Sequence, residues 1–164
     1  MPESRKRTEK ERGRESLAES AAQNAAAESA SDEKDAEGLD ERVRLALHAA
    51  AEKKAHDLVV LDLREVASFT DYFVITSGTN VRQVQAIADE VQEQLRKQLG
   101  VRPARVEGYK TAEWVLLDYG DFIFHVFEEK SRRFYDLERL WRDAARVTLP
   151  PDVAGGEGSL RNER

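Results

Sequence analysis

The side chains with the most chemical capacity crowd into one stretch, EWVLLDYGDFIFHVFEEKSRRFYDLERLW, from Glu113 to Trp141. Asp118, His125, Arg132, Arg133 and Tyr135 all fall inside it, and each chemistry they suggest demands its own spacing. A zinc site needs at least three converging ligands. His48, His56 and His125 show no His-x-x-x-His or His-x-Glu spacing, and no cysteine is present to help. His125 and Asp118 can meet across a hairpin, but two ligands do not make a metal site, so His125 is read as packed and hydrogen-bonded. Nucleophilic catalysis needs a nucleophile beside an oriented base. The chain offers no thiol and no Gly-x-Ser-x-Gly, and no acid pair is singled out by its spacing.

Phosphate chemistry has one candidate, the TSGTN turn at Thr76–Asn80, placed between a predicted strand and a predicted helix. Free N–H groups at such a helix start can bind an anion. The turn is neither a Walker A loop nor a Gly-x-Gly-x-x-Gly fingerprint. A strand, a Gly-Ser turn and a helix start also suit a nucleotidyltransferase, which needs paired strand carboxylates for two metal ions. No such pair follows, because Asp62 and Asp118 are lone acids. The simpler reading is that Ser77, Gly78 and Thr79 make the turn and Asn80 caps the helix.

A partner-binding reading fits the Glu113–Trp141 stretch better. Alternation puts Trp114, Leu116 and Asp118 on one face of a strand, with Val115, Leu117 and Tyr119 on the other. In the next strand Phe122, Phe124 and Val126 oppose Ile123, His125 and Phe127. Both faces are apolar, so both need a cover. Trp, Tyr and Arg are common interface anchors, and the stretch is rich in them: Trp114, Tyr119, Arg132, Arg133, Tyr135 and Trp141. Composition alone leaves interface and doubly covered core equally open.

The elements that must position these residues follow from periodicity. Leu39, Val43, Ala46, Leu47 and Ala50 predict a first amphipathic helix ending near Lys54. DLVVLDL and DYFVITSG predict two strands. Val81, Val84, Ile87, Ala88, Val91, Leu95 and Leu99 line one face of a long helix, with Asn80 and Gln83 resembling a capping box and Gly100 as its stop. ARVEGY predicts a short strand. EWVLLDY and FIFHVFEE flank a Gly-Asp hairpin turn. A last helix is expected from about Ser131 to Arg146, ended by Pro150 and Pro151. The order is helix, two strands, helix, three strands, helix, and it implies a mixed sheet of about five strands flanked by helices, an α/β domain.

Charge divides the chain into three. The whole carries a formal net charge of −6 over 164 residues. Residues 1–38 switch from basic to acidic and, after Met1, contain Leu17 as their one large apolar side chain, so they are expected to be a disordered charged tail. Residues 39–149 form the expected domain and are close to neutral, which argues against bulk nucleic-acid binding and gives no sign of sequence-specific recognition. Residues 150–164 are expected to be a second disordered tail. No apolar run approaches a membrane span, and no secretory or transit signal is visible, so a cytoplasmic location is expected.

Two blocks, SFTDYFVITSGTNVRQVQAIADEV and VEGYKTAEWVLLDYGDFIFHVFEEKSRRFYDLERLW, resemble the ribosomal silencing factor (Iojap) family over about residues 39–143. The resemblance implies a nucleotidyltransferase-like core without the catalytic carboxylates, no enzymatic activity and no cofactor. It implies binding to the large ribosomal subunit through its L-fourteen protein and a steric block to small-subunit joining, which lowers translation under nutrient limitation. It also implies a homodimer in the free state. Carried over, the partner-binding residues are Trp114, Asp118, Arg132 and Tyr135, with Leu116, Phe127 and Glu138 nearby. On this basis the aromatic face is expected to stand exposed, so that Trp114→Ala or Tyr135→Ala spares the fold while weakening subunit binding by more than about 2 kcal/mol.

Overall fold

The strands expected from the apolar runs form one sheet. Its order is β3-β4-β5-β2-β1-β6 in a computed structural model that describes residues 38–154. Its members are β1 (His56–Asp62), β2 (Tyr72–Gly78), β3 (Arg105–Glu107), β4 (Trp114–Asp118), β5 (Phe122–Glu128) and β6 (Ala145–Arg146). The longest register is central and parallel, β2 on β5, from Tyr72↔Phe122 to Gly78↔Glu128. Antiparallel pairs flank it, β1 with β2 and β4 with β5. The expected tail at 1–38 lies outside the described residues except for Gly38.

Helix α1 (Glu41–Glu52) and helix α2 (Val81–Leu99) cover one face. Their spacing buries Val43, Ala46, Leu47 and Ala50 from α1 and Val84, Ile87, Ala88, Val91 and Leu95 from α2. Against them pack Val115, Leu117, Tyr119, Phe122, Phe124 and Val126. Asn80 caps α2 by accepting the Gln83 N–H at 2.9 Å. The return bond of the expected capping box goes to Thr79, whose N–H and hydroxyl both reach Gln83 Oε1. Gly100 ends the helix in the left-handed region at φ 67°, where a side chain would be strained.

The last helix departs from expectation. Instead of one run from 131 to 146, the chain forms α3 (Glu129–Tyr135) and α4 (Leu137–Leu140), then β6 pairs with β1 as a sixth strand. Asp136 breaks the run at φ 50°, a conformation that Asp adopts more easily than most residues. The break has a packing cause. It drops Leu137, Trp141 and Ala144 onto the second face of the sheet, beside Leu63, Val66, Phe73, Ile75, Trp114, Leu116, Ile123 and Phe127. The second face is therefore covered by the chain itself. Beyond the boundary expected at 149, Pro151–Ala154 form a single helical turn, α5, with Val153 buried and Asp152 3.0 Å from His48 of α1. Pro151 opens this turn, a position where its missing N–H costs nothing.

The TSG turn is tight. A Cβ on Gly78 would lie 3.1 Å from the Val84 backbone nitrogen and 3.2 Å from Val84 Cγ2. Gly78→Ala is expected to destabilise the fold by about 1–3 kcal/mol through overpacking, read as a lower urea midpoint with unchanged slope. An unchanged midpoint would show that α2 can give way.

Candidate functional site

Most of the residues singled out by sequence gather where β4, β5 and α3 meet. Trp114 is only 6% exposed; its ring centroid lies 4.7 Å from that of Phe127 and 4.6 Å from that of Tyr135. Its indole N–H donates to His125 Nδ1 at 3.0 Å. Accepting there places the neutral imidazole's proton on Nε2. His125 is thus packed and hydrogen-bonded, with Phe73 edge-on at 4.5 Å. Leu116 and Phe127 are also buried. These three, Trp114, Leu116 and Phe127, were expected on an exposed face. The structure turns them inward because α4 and residues 141–144 supply the cover.

Asp118 does not join them. It sits at the other end of β4, opposite Ile123, while Trp114 lies opposite Phe127. There its carboxylate accepts from the Gly120 N–H and from Arg105 Nη2, bracing the hairpin and β3. His125 lies opposite Leu116, so Asp118 and His125 are not partners across the hairpin. Among the described residues, no group of three or more His, Asp or Glu could hold a metal ion.

Arg132 and Glu138 are brought together at 2.6 Å. Arg132 also donates to Ser77 Oγ at 2.9 Å and to the His56 carbonyl at 3.4 Å. Its side chain is only 11% exposed. It thus ties α3 to the ends of β1 and β2 and to α4. Ser77, read from sequence only as a turn residue, is the buried acceptor in this network. A groove of about 580 Å³ runs beside it, lined by Asp57, Val59, Ser77, Glu129, Arg132, Arg133, Asp136, Glu138 and Arg146. Three arginines face four acids there, a balance unlike a phosphate cradle. Within the turn, two N–H donors are already engaged. The Thr79 N–H goes to Gln83, and the Gln83 N–H goes to Asn80.

Sequence reasoning also missed Phe134, the most exposed large apolar side chain among the described residues, at 80%. It stands on α3 beside Tyr135, ring centroids 5.0 Å apart and nearly perpendicular. Tyr135 is 38% exposed, and Leu140 on α4 is 45% exposed. No residue of α3 is buried. Phe134 lies three positions before Leu137, a spacing that in one continuous helix would put both on the same face. The kink at Asp136 separates them, and nothing in the sequence spacing announces it.

A mixed sheet covered on both faces, with an aromatic ridge raised at one corner, defines an α/β protein whose unusual feature is a surface rather than a cleft. Residues 34–163 match the family model described as "Ribosomal silencing factor during starvation". The chain is 42% identical over 109 residues to the ribosomal silencing factor of Halalkalibacterium halodurans, covering 66% of this chain and 92% of that protein. It is 31% identical over 117 residues to the Mus musculus mitochondrial assembly of ribosomal large subunit protein 1, covering 64% of this chain and 51% of the mouse protein. The crystal structure of a Chromobacterium violaceum protein matches with a TM-score of 0.60 at 35% identity, over 67% of this chain and 88% of that one. The chain belongs to the ribosomal silencing factor family, a family of ribosome-associated regulators of translation.

Because Trp114 is a core residue, Trp114→Ala is expected to cost about 3–5 kcal/mol of stability. Phe134→Ala should stay within about 0.5 kcal/mol of the parent. Paired denaturant titrations check the contrast; equal midpoints for the two variants would contradict the burial assigned to Trp114.

Proposed function

We propose that this chain docks the α3–α4 ridge onto a protein of the large ribosomal subunit, one of the L-fourteen family, and by its bulk keeps the small subunit from joining. The observation that carries the reading is Phe134. A protein whose other large aromatics are buried or half-buried leaves this one almost wholly in water beside Tyr135, and such anchors concentrate binding energy. Tyr135, Phe134 and Leu140 make the contacts. Trp114 and Phe127 support Tyr135 from beneath, Leu116 is buried in the same cluster as they are, and Asp118 with Arg105 braces the far end of β4, away from the ridge. Arg132 and Glu138 lie at the foot of the ridge. The block needs no chemistry and no cofactor: a folded domain seated on the joining surface excludes the small subunit by volume, lowering translation in the cytoplasm when nutrients run short. The mouse relative, named for assembly of the mitochondrial large subunit, supports the choice of subunit.

The domain's near balance of charge also favours a protein contact over ribosomal RNA, whose capture would need a basic face and would fade with salt. In the free state the same ridge pairs with a second copy, so that self-association and subunit binding compete.

The experiment is sedimentation with separated ribosomal subunits at two salt concentrations. The expected result is cosedimentation with the large subunit only, surviving the higher salt. Tyr135→Ala and Phe134→Ala are each expected to weaken that binding by about 2 kcal/mol or more, roughly thirtyfold, with the fold intact by circular dichroism. Equal, salt-sensitive binding to both subunits would reject the reading.

A further inference from the structure

We infer that Ser77, Arg132 and Glu138 are positioning residues that hold α3 in place and so present Phe134 and Tyr135, rather than groups that touch the partner. The inference rests on the docking reading above and deepens it.

Helix α3 has little of its own to keep it formed. It is seven residues long and buries none of them, far below the roughly 12–15 residues at which an isolated helix becomes even marginal. Four attachments hold it among the described residues, the loosest being Glu129 Oε2 at 3.7 Å from His56 Nδ1. The Glu128 side chain caps it by accepting the Lys130 and Ser131 N–H groups. Tyr135 rests on Trp114. Arg132 reaches inward from its middle, one guanidinium nitrogen donating to Ser77 Oγ and the His56 carbonyl, the other to Glu138. That single side chain joins α3 to β1, β2 and α4. The planar fork suits this task, since its two terminal nitrogens spread their donors over acceptors on three elements, whereas a lysine ammonium donates from a single point.

Exposure separates positioning from contact. Arg132 shows 11% of its side chain and Glu138 21%, and their charges are already matched to each other. A partner that used them would first have to break this pair and leave Ser77, a 2%-exposed hydroxyl, without its donor. The neighbouring Arg133 is exposed and differs in its surroundings although the sequence presents the two arginines alike. The Thr-Ser-Gly turn thus acquires a task that its resemblance to a nucleotide-binding turn does not suggest. It holds an arginine of its own chain.

The test is hydrogen exchange by mass spectrometry on the full chain, with subunit binding measured in parallel, for Arg132→Gln, Glu138→Gln, Ser77→Ala and Arg133→Gln. In Arg132→Gln and Glu138→Gln, amides of residues 130–136 should exchange at least tenfold faster, while β2 and β5 exchange as in the parent. Large-subunit affinity should fall at least tenfold in both. The double variant should fall no further than the worse single one, because both break one pair. Arg132→Lys should be intermediate, and Arg133→Gln should leave α3 exchange unchanged. If Arg132→Gln lowers the global stability, Ser77→Ala, which removes one hydroxyl, carries the same comparison. Binding lost with α3 exchange unaltered would make Arg132 a contact residue and overturn the inference; so would faster exchange with parental affinity. Failure of the docking reading shows separately, as parental binding by Phe134→Ala and Tyr135→Ala.

Discussion

A sheet that is apolar on both faces must be covered twice, and most of this architecture follows from that demand. The central parallel pair, β2 on β5, is buried on either side over nearly its full length. Two amphipathic helices meet the first face. The second has no long helix left to serve it. It is closed piecemeal by the 63–70 segment and by Leu137, Trp141 and Ala144. Removing that much apolar surface from water, at about 25 cal/mol per Å², outweighs the local cost of a left-handed Asp136, on the order of 1–3 kcal/mol. The kink at Asp136 is the local expense of sealing the sheet, and the exposed ridge is what remains outside the seal.

This explains which parts of the molecule could be read from the sequence. Val84, Ile87, Val91 and Leu95 repeat with one period over nineteen residues, so α2 and its caps were legible. The alternation in β4 and β5 gave their faces correctly, and the element order implied a mixed sheet without naming the strands that run parallel. Residues 131–146 were not legible, because Leu137 and Trp141 at i and i+4 read as one stripe of a continuous helix. The sixth strand, two residues long, pairs too briefly to leave a pattern. Trp114 shows the limit most plainly. A tryptophan serves equally well as anchor or as core, and only the whereabouts of Trp141 and Tyr135 decides between them.

The Ser-Gly turn shows how one local geometry can be put to different use. A strand end, a small residue and a helix start leave room for something to approach the backbone. Here the space is filled from within. Gln83 takes the Thr79 donors and ties the turn to the carbonyls of Lys53 and Lys54 at the end of α1, while Ser77 accepts from Arg132. These bonds, with that from Arg132 to the His56 carbonyl, lock the ends of α1, β1, β2 and α3 to one another. The lone acids Asp62 and Asp118 are likewise spent on structure, one paired with Arg64 and the other with Arg105.

The parallel register has a temporal consequence. Tyr72 and Phe122 are neighbours in the sheet but fifty positions apart along the chain, and such distant pairings close later than local hairpins. While the protein is being synthesised, β2 must wait for β5 to emerge from the ribosome. The arginine that secures the ridge comes later still, and its acceptors lie in both halves of the chain. The exposed ridge of Phe134 and Tyr135 is therefore among the last parts of the molecule to take shape. A partially made chain lacks it, and the proposed docking surface arrives together with completion of the fold.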